Sequence, residues 1–327
     1  MLRVRKKCLV LGVNGQDGSY AAERLLSKGY IVSGVGRQFA SKWVSDRADY
    51  SYFPLDLTNV TAFEDFLMRD RPDRIFHLAA THGSAGFSYE DNWAEAHYVN
   101  TLVTHAALEY LRCEMRDGQL VYLSSSKAFG ADPPIVTSEA SARKSTCIYS
   151  TTKNASTDLI HYYRRRHGLN ASVIWTFNHD SPRRQGSFFI PQIVNILASS
   201  IIDRRHKGTI GSLKFWCDWG HAEEYMTIVT ELAERGPADD FVLATGSTLW
   251  ANDFVAELFS RYGLDARDHI IERNTSIQLS RPERWRAEVS HLQGTLGLRP
   301  EQSAQDVCDD IFRSNYPQAW SSARNAE

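Results

Sequence analysis

The sequence predicts an α/β protein built on a doubly wound parallel sheet, with a smaller C-terminal α/β unit. Two observations carry this expectation. Short apolar runs alternate with stretches of helical periodicity through the first half, and a glycine-spaced turn joins the first run to the first helix. The 327 residues, 43% hydrophobic and 23% charged, can bury a full core as one large domain or two unequal ones.

The first apolar run, residues 7–11, follows the basic start Arg3, Arg5, Lys6 and Lys7. It is too short for a secretory leader and runs into Asn14, Gln16 and Asp17, so it reads as a strand. Further strands are expected over 30–36, 51–55, 74–78, 119–124 and 171–177, and helices over 19–28, 60–70, 93–112 and 149–167. After Asn178 the rhythm becomes irregular. Residues 180–186 read as a loop and 193–202 as helical. Residues 187–202 are interrupted by Pro191, Gln192 and Asn195, short of the roughly 20 apolar residues a membrane span needs. The expected division is a dinucleotide-binding domain over 1–177. Residues 178–327 are mainly a substrate-binding domain, with chain crossings back to the sheet.

Charge and cysteine content narrow the partners. A formal net charge of -2 offers no basic field for nucleic acid or an anionic membrane, which favours a small molecule held by local geometry. The five cysteines Cys8, Cys113, Cys147, Cys217 and Cys308 are odd in number and lack metal-like spacing. A reducing compartment, the cytoplasm, is expected, with no metal.

Gly12-Val13-Asn14-Gly15-Gln16-Asp17-Gly18 follows the first strand and opens a helix. Glycines there let backbone N–H groups and the helix N-terminus approach a pyrophosphate without a Cβ between them. A tight turn with no ligand is the plainer reading, but strand, turn, helix and next strand fall in register. The second strand ends Val35-Gly36-Arg37. A cation and no acid at this place favours NADP over NAD; the alternative is a solvated loop charge. Asp56 and Leu57 suit the adenine edge. Leu78, Ala79 and Ala80 are a small-residue stretch along which a dinucleotide can pass.

Tyr149 and Lys153 stand four residues apart, so a helix presents them on one face. A nearby ammonium lowers a phenol's pKa and can hold a ribose hydroxyl. The phenol is then a general base that removes a proton from an alcohol as hydride leaves. By itself the pair is common surface decoration. Behind it lie Ser124, Ser125 and Ser126, whose hydroxyls can bond the same substrate oxygen. Together these elements describe hydride transfer at a secondary alcohol or ketone.

The chain resembles an extended short-chain dehydrogenase/reductase, a Rossmann-type fold, and is most similar to the GDP-mannose 4,6-dehydratases. The carriers are GVNGQDGSY at 12–20, FNHDSPRR at 177–184, Asp218-Trp219-Gly220-His221-Ala222 with Tyr225, and Ala244-Thr245-Gly246. The resemblance implies an NADP site that also includes His179 and Arg184, with Asn178 and Arg281 near a nucleotide-sugar substrate. It also implies oxidation at carbon 4 of the sugar, elimination of water across carbons 5 and 6, and return of hydride to carbon 6. Elimination requires a glutamate directly after the serine pair, and here the chain reads Ser125-Ser126-Lys127. Lysine cannot simply take over that proton transfer. Glu139 lies downstream without a reason to enter the pocket.

Two basic positions that serve the nucleotide diphosphate in the family are Gln192 and Cys217 here, which removes charge-assisted hydrogen bonds. Residues 38–51 do not resemble the family's arm that links dimers into tetramers. A homodimer through the helices 93–112 and 149–167 is therefore expected. The preferred reading is an NADP-dependent nucleotide-sugar epimerase or 4-ketoreductase using Ser125, Tyr149 and Lys153. A dehydratase with a displaced acid/base residue and a cofactor-binding pseudoenzyme are the alternatives. His77, His82 and His221 are acid/base candidates by residue type but read as structural or cofactor-adjacent, and Trp216, Trp219 and Trp250 read as packing rather than a ring-stacking platform.

Overall fold

The computed structural model describes residues 6–84, 86–131, 133–273 and 283–324. The first half runs β1 (Lys7–Leu11), α1 (Gln16–Ser27), β2 (Ile31–Gly36), β3 (Tyr50–Pro54), α2 (Val60–Asp70) and β4 (Arg74–His77). It continues through α3 (Trp93–Ala96), a π-helical turn (His97–Leu102) and α4 (Val103–Cys113) without a break. Then come β5 (Gln119–Ser125), a 3₁₀ turn (Ser126–Phe129), β6 (Val136–Thr137), α5 (Ile148–His167) and β7 (Asn170–Thr176). The second half holds β8 (Asn178–Asp180), α6 (Phe189–Ile202), β9 (Gly208–Ile210), β10 (Trp216–His221), α7 (Ala222–Arg235), β11 (Asp240–Leu243) and β12 (Thr248–Trp250). It ends with α8 (Ala251–Ser260), α9 (Ala266–His269), β13 (Ile270–Glu272), β14 (Arg286–Ala287), α10 (Ser290–Leu296), α11 (Ala304–Asn315) and α12 (Pro317–Arg324).

Seven strands form one parallel sheet in the order β11-β7-β5-β4-β1-β2-β3. The chain reverses direction across the sheet between β1 and β4, which opens a crevice at their carboxyl ends. Strand β11 enters this sheet from the second half. Alternation along β1 explains why the sheet is covered on both sides. Leu9 and Leu11 pack with Phe63, Val103 and Ile160 of α2, α4 and α5, whereas Cys8 and Val10 pack with Leu25 and Val229 of α1 and α7. A third apolar cluster, with Leu197, Phe254, Leu258 and Ile311, joins α6, α8 and α11.

The differences from the sequence expectation have local causes. Helix α1 begins at Gln16, three residues earlier than expected, because the glycine motif hides an N-terminus in what reads as turn. Helix α6 begins at Phe189 and contains Pro191. Proline is tolerated there because a first-turn residue has no intrahelical acceptor for its N–H. Among the described residues, no helix is long and apolar enough to cross a membrane.

Candidate active site

The crevice floor is the glycine turn. Gly12 has φ +84° and hydrogen-bonds Val35 O through its N–H at 2.9 Å. A Cβ on Gly12 would lie 2.9 Å from the backbone of Ala79, and one on Gly18 would lie 2.2 Å from Gly12 O. Turn, helix α1 and the end of β4 therefore touch backbone to backbone. This cradle, filled by any side chain, suits a nicotinamide dinucleotide whose pyrophosphate needs free N–H groups at a helix N-terminus.

Around the cradle, Asp17 Oδ1 lies 3.0 Å from His179 Nε2. Burial opposes ionisation of Asp17, but the charge and hydrogen bond of His179, helped by Arg184, outweigh it and hold the carboxyl at about 2. Burial also opposes charge on His179, yet Asp17 raises its pKa above the ordinary value. Gln16 Nε2 donates to His179 O at 3.2 Å and Gln16 Oε1 accepts from Ser181 at 2.8 Å. Arg184 pairs with Asp180 at 3.1 Å and lies 3.6 Å over the Phe188 ring. Glycine turn and β8 are thereby fastened together.

The adenosine-side candidates are more dispersed. Asn14 ties down the chain after β2, donating to Gln38 Oε1, Ala40 O and Tyr52 Oη and accepting from Lys42 N–H. Arg37 pairs with Glu95 at 2.9 Å, and Glu95 also accepts from Thr81 Oγ1 at 3.3 Å. Asp56 is exposed and accepts from Thr58 N–H, while the side chain of Leu57 is buried. Leu78 and Ala79 are half-buried and Ala80 exposed at the end of β4.

Ser125 is the last residue of β5, where its Oγ accepts from Lys127 N–H at 3.2 Å, and Tyr149 lies in the first turn of α5. Lys153, one turn on, donates to Leu123 O at 2.7 Å, and its Nζ lies 5.7 Å from the Tyr149 ring centroid. Burial lowers the Lys153 pKa to about 7. The expectation of a depressed phenol is corrected here. Burial pushes Tyr149 up, and the opposing influence of Ser125 and charge of Arg184 do not overcome it. Lys153 bonds the β5 backbone instead of the phenol. The Ser124 hydroxyl is buried without a partner among the described residues.

Over Tyr149 sits a group that no motif announced. The His82 ring stacks on it with centroids 4.5 Å apart, and His82 Nδ1 lies 2.6 Å from Tyr89 Oη. Tyr89 and Phe188 complete the cluster, 5.9 Å from Tyr149 and 5.8 Å from His82. Burial, then Lys127, Arg184 and Lys153, lower the His82 pKa to about 3. Ser126 and Lys127 form the 3₁₀ turn after β5, with Lys127 exposed and its Nζ 5.7 Å from the Tyr89 ring centroid.

The substrate candidates separate into two places. Asn178 on β8 and Cys217 on β10 are 2.6 Å apart (Nδ2 to Sγ), whereas Gln192 folds back onto Ser187 O at 2.6 Å. Arg281 lies outside the described residues. Glu139 accepts from the Val242 N–H at 2.7 Å, so its carboxylate serves the sheet edge. His77 bonds Val99 O in the core, and His221 caps α7 while contacting Asp310 at 3.1 Å. Trp219 is buried in the third cluster, and Trp216 meets Trp250 edge-on across the β10/β12 pair.

A seven-stranded parallel sheet with a glycine turn at its switch point, and Ser125, Tyr149 and Lys153 beside that crevice, define an extended short-chain dehydrogenase/reductase. The GDP-mannose 4,6 dehydratase family model matches residues 9–311, and the chain belongs to that family, whose members are enzymes. A GDP-mannose 4,6 dehydratase 2 of Caenorhabditis elegans is 31% identical, over 96% of this chain and 90% of that protein. The fold is also that of a Thermotoga maritima UDP-glucose 4-epimerase solved with UDP-glucose (TM-score 0.79, 18% identity, 98% of this chain and 100% of that one). A Bacillus anthracis dTDP-glucose 4,6-dehydratase solved with NAD is similar (TM-score 0.78, 15% identity, 97% and 99%).

Proposed function

We propose that the protein is an NADP-dependent enzyme that modifies a nucleotide sugar by hydride transfer at carbon 4, as an epimerase or a 4-ketoreductase. The observation that carries this reading is the placement of Tyr149 at the start of α5, one turn before Lys153, whose Nζ lies 5.7 Å from the Tyr149 ring centroid, with Ser125 at the end of β5, in a chain whose glutamate position is Lys127.

Gly12, Gly15 and Gly18 with the start of α1 would hold the cofactor's pyrophosphate. Asp17, His179 and Arg184 would hold the nicotinamide half, and Arg37 a 2′-phosphate. When bound, that cofactor accepts or returns hydride at carbon 4. Tyr149 takes the proton from the carbon 4 hydroxyl in one direction and gives it back in the other. Ser125 bonds the same oxygen and keeps it in line with the phenol. Lys153, anchored on Leu123 O, supplies positive charge beneath the phenol and a donor for a ribose hydroxyl.

Dehydration across carbons 5 and 6 is disfavoured because Lys127 occupies the acid/base position and Glu139 is engaged by Val242. The dehydratase reading is kept because His82 and Tyr89 stand against Tyr149. Trp93, Tyr98, Leu102 and Tyr162 are exposed on the long helices, which supports a homodimer through that face. A cytoplasmic setting fits the free cysteines.

The test offers NADP(H) with GDP-mannose, UDP-glucose, dTDP-glucose and UDP-glucuronic acid. Single-turnover NADPH absorbance and product identity are followed for wild type and Tyr149→Phe. Hydride transfer in wild type, reduced by about two to four orders of magnitude in the variant, supports the proposal. Binding of NADP without turnover of any nucleotide sugar overturns it.

A further inference from the structure

A ketone at carbon 4 acidifies the hydrogens on the neighbouring ring carbons. A second proton-transfer group near Tyr149 therefore decides whether chemistry stops at carbon 4. Lys127 and Glu139 do not supply it, the first being an exposed cation and the second engaged with Val242. His82 has the required position. Its ring lies against Tyr149, which marks the carbon 4 oxygen, and Nδ1 is the ring nitrogen that the protein engages, through Tyr89. Tyr89 is itself only half-buried.

Resting on the hydride-transfer reading above, we propose that His82 and Tyr89 form a proton relay that exchanges the hydrogen on the ring carbon next to the carbon 4 ketone. In the tautomer whose Nδ1–H donates to Tyr89 Oη, Nε2 carries the lone pair. Nε2 accepts the proton as the carbon–hydrogen bond breaks, and the bonding pair passes into an enolate whose oxygen meets Tyr149 and Ser125. Nδ1 passes its proton to Tyr89 Oη, and Tyr89 releases its own to water. One proton has moved from sugar to solvent, and no oxidant or reductant is consumed. The reverse path returns a proton from solvent.

The relay form of the step follows from the surroundings. Burial and the charges of Lys127, Arg184 and Lys153 disfavour an imidazolium. Exchange between the two neutral tautomers moves a proton through the ring without leaving that charge behind.

The experiment runs wild type, Tyr89→Phe and His82→Asn in deuterium oxide with NADP(H) and the same four nucleotide sugars. Deuterium at each ring carbon is read by mass spectrometry and hydride transfer by single-turnover absorbance. Wild type is expected to incorporate deuterium next to carbon 4. In each variant the ratio of exchange to hydride transfer should fall roughly a hundredfold, the scale of general acid–base catalysis. Tyr89→Phe keeps the ring and its packing, so its loss of exchange does not come from a failure to fold. Hydride transfer without exchange in wild type, or an unchanged ratio in both variants, overturns the relay and leaves the hydride-transfer reading standing. Absence of hydride transfer with all four sugars overturns that reading and the relay together.

Discussion

Asp17, in the first turn of α1, and His179, on β8, lie 3.0 Å apart and fasten the glycine turn to the start of the second half of the chain. Asp17 is held at about 2, below its ordinary carboxylate value. Its stabilising contribution is present above the unfolded pKa near 4 and is lost as pH falls toward 2. His179 is raised, so its contribution is present below its unfolded value near 6.5 and is lost as pH rises through its folded value. Asp17→Asn should therefore cost about 2 kcal/mol at pH 6. The gap to wild type should close in acid, as read from urea midpoints across a pH series. Equal midpoints at pH 6 would refute the assignment.

Arg37 and Glu95 make a prediction about cofactor choice. In NADP binding, Arg37 would exchange Glu95 for the 2′-phosphate. Charge-assisted bonds of this kind are worth roughly 1.5–3 kcal/mol. Arg37→Ala should weaken NADP by about ten- to a hundredfold and leave NAD nearly unchanged. Glu95→Gln, which releases Arg37 from its ion pair, should tighten NADP selectively. Fluorescence titration of both cofactors decides it, and parallel losses for NAD and NADP would count against a 2′-phosphate contact.

What the sequence made legible depended on period and punctuation. Strand 7–11 and helix 60–70 agree with the structure residue for residue. The first is an apolar run closed by glycine. The second is an amphipathic stretch opened by Asn59, whose side chain accepts from Ala62 N–H. Tyr149 and Ser125 come together from a helix start and a strand end that were both readable. His82, Tyr89 and Phe188 gather from segments outside helices and strands, where no periodicity announces a side chain's direction. The place of β11 beside β7 was hidden for another reason: 63 residues separate Thr176 from Asp240, and only tertiary packing reveals the pairing.

Lys153 sets a pH limit. Burial brings its pKa to about 7, so the ammonium that anchors on Leu123 O is lost from the free enzyme as pH rises through neutrality. If that charge serves turnover, kcat/KM, which reports the free enzyme, should fall above about pH 7. Lys153→Arg stays charged, so it should lose this limb while working at a lower maximum. A limb that persists unchanged in Lys153→Arg belongs to a different group.

Two glycines separate backbone strain from close approach. Gly29 has φ +85°, but an added Cβ would meet nothing within 4 Å. Gly29→Ala should therefore cost only the strain of a left-handed residue, about 1 kcal/mol. Gly18 is helical, yet its Cβ would fall 2.2 Å from Gly12 O and 2.7 Å from Val13 Cα. Both atoms are backbone and cannot rotate aside. Relief requires α1 to move off the turn, at about 2–3 kcal/mol, and this movement opens the cradle proposed for the pyrophosphate. Gly18→Ala should lower the urea midpoint further than Gly29→Ala and abolish binding of NADP and NAD alike, whereas Gly29→Ala should bind both as wild type does. Calorimetric titration with each cofactor checks the difference. If Gly18→Ala binds normally, the dinucleotide does not sit on this turn.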